Sequence, residues 1–400
     1  MTRMHGPRWG AAPSLLTLAA LVAACGGTTT HPTPTRSGTS TAAPTASASP
    51  VGTASPSATA VPATPIAGFE AASVTFVSSQ DGWVLGTVGG SLALARTQDG
   101  GTTWTSVTPP PTGFYTGSGS TGVSGIRFAN QQDGWAYGYD LFATHNGGTS
   151  WTQVALPGLD SSTGGTPIQD LETSGGSVDA VITGTSGFLI DTATVVSNSW
   201  TTSPTTVPYG AGPVPDAQLV LQGSSGWVIE NDRIVAGGAR LQSGSWSTWT
   251  PPCTTTGGPA VLAPSSAENL FAACSQGIWA SGPVSVRAYV STTAGSSFTQ
   301  LASALPFTSA QVGTYSDSPP AAASPSTSVL AVGDGGDILA SFDGGSTWST
   351  TYAGAASTSL DHVGFTTSTQ GVAIEASTTS SLGTLLMTRD GGHTWAAVTI

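Results

Sequence analysis

Few side chains in this 400-residue chain could do acid–base or nucleophilic chemistry, and their types narrow the options. All nine basic residues are Arg. Without Lys there is no Schiff-base chemistry and no lysine-dependent phosphate loop. No G-x-S-x-G stretch occurs to seat a serine nucleophile. His145 and His393 stand at variable positions of repeated turns, where solvent exposure is the expectation, and His362 reads as the start of a strand. What remains is carboxylate chemistry. Asp140, Glu230, Asp334, Asp337 and Glu375 fall in expected loops. Glycoside hydrolysis needs only two such groups at a suitable separation. Gly333-Asp-Gly-Gly-Asp337 has the composition of a phosphate or calcium loop. It lies between the apolar runs Val329–Val332 and Ile338–Ala340, so it reads as a hairpin turn. No metal or cofactor site is expected.

The elements that must position these groups are set by a repeat. Thr97-Gln-Asp-Gly-Gly-Thr-Thr-Trp104 returns as Thr144–Trp151, Ser341–Trp348 and Thr388–Trp395, and in decayed form as Ser291–Phe298. The pattern suits a hairpin turn. Asp99, Asn146, Asp343 and Asp390 can accept backbone N–H groups of their own turns. The paired glycines supply positive φ at low steric cost. Trp104, Trp151, Trp348 and Trp395 each open a strand and are expected to bury their rings between neighbouring sheets. These residues read as structural staples, not catalytic groups. In the decayed copy Thr293 replaces the Asp and Ala294 the first Gly, so that turn should be looser.

The aromatic that opens each last strand recurs at Trp104, Trp151, Trp200, Trp246, Phe298, Trp348 and Trp395, at intervals of 46–52 residues. The third and fourth copies have lost the box, and Ser197–Trp200 and Ser243–Trp246 read as tighter hairpins. Upstream halves repeat too: Ser73–Val77 then Asp81-Gly-Trp-Val-Leu85, Gly125–Phe128 then Asp133-Gly-Trp-Ala-Tyr137, Gln218–Gln222 then Ser225-Gly-Trp-Val-Ile229. Strand, turn, strand, Gly-rich loop, strand, box turn, strand make one four-stranded antiparallel unit. Such periodicity with short strands predicts an all-β, seven-bladed β-propeller over residues 66–400. The first and last blades read as complete, so closure should rest on packing between them.

The S/T-x-D-x-G-x-T-W pattern resembles the Asp-box, or BNR repeat, of β-propellers. Together with D-G-W-x-x-G it is similar to the photosystem II assembly-factor-like propellers of bacteria and chloroplasts, over roughly Ala72 to Ile400. Photosynthetic members of that family are thought to scaffold a membrane protein through an Arg-rich surface. Here only Arg96, Arg127, Arg233, Arg240, Arg287 and Arg389 lie in the propeller, a departure from that pattern. Sialidases also carry Asp-boxes, and their chemistry needs three Arg, a Tyr with a Glu partner and an acidic proton donor. Arg233, Arg240 and Arg287, with Glu230 and Tyr209, would have to converge, and no F-R-I-P stretch is present. In a propeller the first and third turns of each blade share one face, so the boxes rigidify that face. Function is expected on the other, with Phe114, Tyr115, Tyr139, Asp140, Glu230, Arg233, Asp334 and Asp337 as candidate binding residues.

The chain's address comes from its first 65 residues. Arg3 and Arg8 precede an apolar run ending at Val22-Ala-Ala-Cys25, which makes residues 1–24 a signal peptide. The Cys makes it resemble a bacterial lipoprotein signal, which implies acylation of Cys25 and anchoring on the outer face of the cell membrane. Residues 25–65 are rich in Thr, Ser, Pro and Ala and read as a disordered tether. With Cys25 taken by lipid, Cys253 and Cys274 are left as one pair in an oxidising compartment, and a disulfide is expected. The net charge of −12 argues against nucleic acid and against a polybasic membrane patch. The expected protein is a monomeric surface lipoprotein that touches the membrane only through its lipid and binds a protein or glycan without catalysis. The alternative is an extracellular glycosidase of the Asp-box, sialidase-like class. Facing carboxylates about 5–10 Å apart in a deep central cleft would favour the enzyme. A shallow or Ser/Thr-lined centre would favour the binder.

Overall fold

The computed structural model describes residues 64–116, 120–159, 168–210, 216–231, 235–254, 258–276, 285–303, 305–307, 320–326, 328–377 and 380–400. The expected signal peptide, Cys25, all but the end of the tether, and Arg233 lie outside these residues. The described residues belong to one compact unit, Ala60–Ile400. Among them the regular structure is entirely β. The strands run in consecutive antiparallel groups of four. The first two groups are β1 (Phe69–Phe76), β2 (Gly82–Val88), β3 (Ser91–Thr97), β4 (Thr105–Val107), then β5 (Val123–Phe128), β6 (Gly134–Gly138), β7 (Leu141–Thr144), β8 (Thr152–Gln153). The next two are β9 (Ile168–Ser174), β10 (Ser177–Thr183), β11 (Phe188–Thr194), β12 (Thr201–Thr202), then β13 (Ala217–Gln222), β14 (Ser225–Glu230), β15 (Gly238–Gln242), β16 (Ser245–Trp249). Then come β17 (Ala260–Pro264), β18 (Leu270–Ser275), β19 (Val286–Ser291), β20 (Thr299–Gln300), and β21 (Ala321–Ala323), β22 (Leu330–Asp334), β23 (Asp337–Ser341), β24 (Ser349–Tyr352). The last are β25 (Thr358–Phe365), β26 (Gly371–Ser377), β27 (Gly383–Thr388) and β28 (Ala396–Ala397).

Five sheets hold four strands and one holds eight. The eight-stranded sheet is β25–β28 joined to β1–β4 through a single residue pair, Ala71 with Gly383. Beside that pair, Ile66 N–H donates to the carbonyl of Ile400 at 2.7 Å. An apolar cluster of Val74, Val84, Trp104, Ile374, Leu385 and Ile400 fills the space between the first and last groups. Packing thus joins the two ends of the unit without a strand exchanged between groups.

Burial explains the strand sequences. Second strands are covered on both faces and read as near-continuous apolar runs: the first six residues of Gly82–Val88 are buried, as are the last five of Ser225–Glu230. Fourth strands are outermost, short and mostly exposed, which limits edge pairing with other chains. Each aromatic that opens a fourth strand packs into the seam shared with the preceding group. Trp104 meets Val372 and Ile374, Trp200 meets Trp135 and Leu141, and Trp395 meets Ala322 and Ile338. Trp104 and Trp395 are buried, but Trp348 and Trp151 are only half-buried. Among the described residues, the fully buried indoles are those of the D-G-W and S-G-W turns, Trp83, Trp135 and Trp227.

The boxes form the staples their residue types imply. Asp99 Oδ1 accepts from Thr102 N at 3.0 Å, Thr103 N at 2.8 Å and Thr97 Oγ1 at 2.9 Å, and its Oδ2 from Thr103 Oγ1 at 2.6 Å. Asp343 and Asp390 repeat the set with Thr347 and Thr394. The Thr347 hydroxyl and N–H bring the Asp343 carboxyl down to about 2. Asn146 keeps the Ser150 N–H bond at 2.9 Å and donates to the Ser150 hydroxyl instead of accepting from it. The first box glycine also donates to the turn between the first two strands, as Gly100 N does to Gln80 O at 2.9 Å, so both turns of a group form one rigid block. Of the two copies without a box, the fourth is a two-residue hairpin with Ser243 and Gly244 at φ 53° and 76°. The third is wider than the sequence suggested, with residues 195–200 between β11 and β12.

In the fifth copy a hydroxyl takes the carboxylate's place: Ser297 N–H donates to Thr293 Oγ1 at 3.0 Å. Ala294 takes φ 51°, a left-handed conformation that penalises a Cβ. Thr293→Asp with Ala294→Gly is expected to stabilise the protein by about 1–2 kcal/mol. Thermal melting of the double variant checks this, and an unchanged or lower melting temperature would show that the native turn is already fully compensated.

Candidate functional site

The loop face was expected to carry function, and its acids hold loops in place. Asp140 Oδ2 accepts from Gly122 N at 2.7 Å and Thr112 Oγ1 at 3.0 Å. Glu230 is fully buried and its Oε2 accepts from Ala236 N at 2.7 Å. Asp334 is buried opposite Asp337 in the hairpin read from Gly333–Asp337, and Asp337 Oδ1 accepts from Gly354 N at 2.9 Å. Glu375 accepts from the Tyr352 hydroxyl at 2.7 Å and the Thr358 hydroxyl at 2.6 Å. Burial and the Glu375 carboxylate push the Tyr352 phenol up to about 12. Tyr115 and Tyr139 lie together on this face, half-buried, with ring centroids 6.0 Å apart. Phe114 is half-buried beside them on the same pinned segment, in a bridge to Val123.

Among the described residues, Arg240, Arg287 and Tyr209 are not brought together as sialidase chemistry would need. Arg240 is committed to the turn face, donating to Ala294 O at 3.2 Å and Ser296 Oγ at 2.7 Å. Arg287 is exposed on β19. The Tyr209 hydroxyl donates to Gly184 O at 2.5 Å, and burial raises its pKa. Arg96 lies over the Trp83 ring at 4.8 Å and pairs with Asp81 at 3.5 Å within the first group, and Arg389 donates to Gly100 O at 2.8 Å, joining the last group to the first as Arg240 joins the fourth to the fifth. His145 pairs with Asp133 at 2.7 Å, and the exposed His393 stacks on Phe342 with centroids 3.8 Å apart.

The most chemically dense region was not among the candidates. The first strands of successive groups, β1, β5, β9, β13, β17, β21 and β25, jointly line a cavity of about 1160 Å³. The fold is a β-propeller. The cavity is its central channel, and each group of four strands is a blade.

No family model matches the chain, and no curated protein matches it in sequence. Among solved structures, YCF48 from Cyanidioschyzon merolae superimposes with TM-score 0.54 at 16% identity, covering 81% of this chain and 96% of that one. A structure of YCF48 bound to D1 peptide gives TM-score 0.53 at 16% identity, covering 82% and 95%. A puromycin-hydrolyzing peptidase of Mycobacterium tuberculosis gives 0.55 at 13%, covering 82% of this chain and 52% of that one. At these identities the likeness is one of fold.

One arc of the channel is charged. An Arg127 Nη donates to Glu172 Oε1 in an ion pair, and its Nε donates to Leu171 O at 3.4 Å. The Tyr137 hydroxyl donates to Asp170 Oδ1 at 3.3 Å, and Leu219 N–H to Asp170 Oδ2 at 2.9 Å. Gly125 makes this possible: a Cβ there would stand 2.3 Å from the Tyr137 ring. Burial, opposed by Arg127 and reinforced by Asp170, pushes the Glu172 carboxyl up to about 7. Burial also raises Asp170. His362 lies in mid-strand in β25, not at its start, and lines the same channel. Burial first, then Arg127, lowers it to about 4, so it is neutral at pH 7. Asp170 and Glu172 are two residues apart on one strand and share one face, side by side. They do not oppose one another across a gap as an acid and a nucleophile would.

Sequence reasoning missed Arg127, Asp170, Glu172 and His362 as a group because they are spread over three strands far apart in the chain. The available signal was alternation: a polar residue at every second position of a first strand, with apolar neighbours facing the seams, marks a channel-lining side chain.

Proposed function

We propose that the chain is an extracytoplasmic lipoprotein, cleaved after residue 24 and acylated on Cys25. Residues 25–65 tether a seven-bladed propeller, residues 66–400, counted as one blade per four-strand group, and each box is an Asp-box staple. The propeller serves as a non-catalytic binding or assembly scaffold for a protein or glycan, with the loop face as its contact surface. The observation that carries this reading is the use of the loop-face acids. Asp140 and Asp337 accept backbone N–H groups of the adjoining connections, from Gly122 and Gly354, Glu375 accepts the hydroxyls of Tyr352 and Thr358, and Glu230 is buried. They keep the loops rigid, while Tyr115 and Tyr139 stay partly open, the residue type that anchors interfaces. A YCF48 structure of the same fold is described as bound to D1 peptide, which supports a protein over a glycan as the partner here.

The anchor and the contact surface are tested separately. Cys25→Ser is expected to move the protein from the membrane fraction to the medium, and unchanged membrane retention would overturn the lipid anchor. Cross-linking on cells followed by capture should recover a partner with the native protein, and Tyr115→Ala/Tyr139→Ala should lower that recovery at least tenfold. Equal recovery with the folded double variant would place the contact elsewhere.

A further inference from the structure

The chain enters the propeller on the face that carries the tyrosine pair. Strand β1 begins at Phe69, which pairs with Val88, the last residue of β2. The entry point is therefore on the side of the β2–β3 connection, which is the loop face. The β4–β5 connection that carries Tyr115 opens on the same face beside blade one, and Tyr139 follows β6 there. The two half-buried rings stand at 46° to one another, centroids 6.0 Å apart. Tyr115 N–H donates to Val123 O at 2.9 Å and Val123 N–H to Gly113 O at 3.1 Å, so the pair is set before anything binds. Asp140, next to Tyr139 in sequence, is already bonded to Gly122 N, the Thr112 hydroxyl and the Gln153 amide. It serves the loop rather than the hydroxyls of a sugar, and the rings are left as the contact.

The segment that leads to this face carries a matching pattern. Pro44, Pro50, Pro56 and Pro62 recur every six residues, and Pro32 keeps the same register. A polyproline II helix has three residues per turn, so prolines spaced by six lie along one side of it. From Ser37 to Pro65 there is no charged residue, so laying this stretch on half-buried rings desolvates no ion. Aromatic surfaces take such helices, with rings against the prolines and a phenol hydroxyl donating to a carbonyl. We infer that the chain's own tether docks on the loop face, with prolines of the Pro44–Pro62 register seated on Tyr115 and Tyr139. The inference rests on the loop face being the contact surface, and it makes the tether the occupant that a partner must displace. Reach is sufficient: at about 3.1 Å per residue, Pro56 and Pro50 stand roughly 25 and 43 Å of chain from Thr64. A segment tied this closely to its site acts at an effective concentration of roughly millimolar, so even a weak contact is populated.

The test titrates a synthetic peptide of residues 43–63 into the purified full chain, and into a full chain carrying Pro44→Ser, Pro50→Ser, Pro56→Ser and Pro62→Ser together. Calorimetry is expected to show at least tenfold tighter binding to the substituted chain, whose loop face has lost its own occupant. A peptide of the same composition with its prolines moved off the six-residue spacing should bind at least tenfold more weakly. Tyr115→Ala/Tyr139→Ala in the substituted chain should abolish binding. The proline changes lie outside the propeller, so the comparison of the two chains stays decisive if the tyrosine variant does not fold. No binding to the substituted chain, equal binding to both chains, equal binding of both peptides, or full affinity in a folded tyrosine variant would overturn the inference. Sedimentation at rising concentration should give a monomer. A dimer that disappears with the proline changes would place the tether on a second copy and overturn docking within one chain. Partner capture reads the scaffold separately. No peptide binding with partner recovery still dependent on the tyrosines would sink the tether alone, and peptide binding with unchanged partner recovery would sink the partner contact alone.

Discussion

Trp83→Ala is expected to cost about 3–5 kcal/mol of stability. That corresponds to a fall in melting temperature of roughly 4–7 °C for a unit of this size. Trp83 is fully buried at the seam between the first two blades. Its ring stacks on Phe128 of the next blade, centroids 3.8 Å apart and planes within 4°. Its Nε1 donates to Gly147 O at 3.3 Å, inside the next blade's box, and Arg96 lies over its other face. Truncation therefore leaves a cavity, removes an interblade hydrogen bond and strips the cation from its π-partner. The half-buried Trp348 has less to lose, so Trp348→Ala should cost about 2 kcal/mol or less. Melting curves of both variants give the comparison. If Trp348→Ala proves the more damaging, the seams are held by the box aromatics rather than by the D-G-W indoles.

That ordering reverses the weight the sequence places on the two tryptophans. The box tryptophan recurs four times in a conspicuous motif, so it draws attention as the main seam residue. The D-G-W tryptophan sits on a second strand, and second strands are covered from both sides. Periodicity alone does not distinguish a ring placed on a central strand from one placed where the outer strand begins. The turn chemistry itself was fully legible, because Asp99, Asp343 and Asp390 bond within a few residues of themselves. Local hydrogen bonds are written in local sequence.

The channel was illegible for the opposite reason. Arg127 and Glu172 are 45 positions apart in the chain and meet only because their first strands are neighbours around the axis. The channel residues do not repeat from blade to blade: Ser73, Gly125, Asp170, Gln218 and His362 occupy comparable places on their strands. A repeat search averages such positions away. The same search made the loop acids look available, because a loop carboxylate with no sequence neighbour gives no hint of partners such as Ala236 N or Gly354 N.

The disulfide joins the segment after β16 to strand β18, and its removal is the second change expected to have a large effect. Cys253 and Cys274 are bonded, with Cα atoms 5.4 Å apart and a sequence separation of 21. Both are fully buried in the seam that holds Trp227, Ile229, Leu262 and Leu270. Closing a loop of this length is worth about 3 kcal/mol on the chain-entropy account. Cys253→Ala/Cys274→Ala should therefore lower stability by about 3 kcal/mol, with a small added cost from the lost sulfur contacts. The native protein should resist labelling by thiol reagents, and a non-reduced digest should yield the two linked peptides. Reduction after unfolding should bring the wild type down to the stability of the double variant, since both then lack the cross-link. Labelling of both cysteines in the native protein would refute the pairing. A double variant as stable as the wild type would show instead that the seam around Trp227 fixes the segment after β16 without the bond.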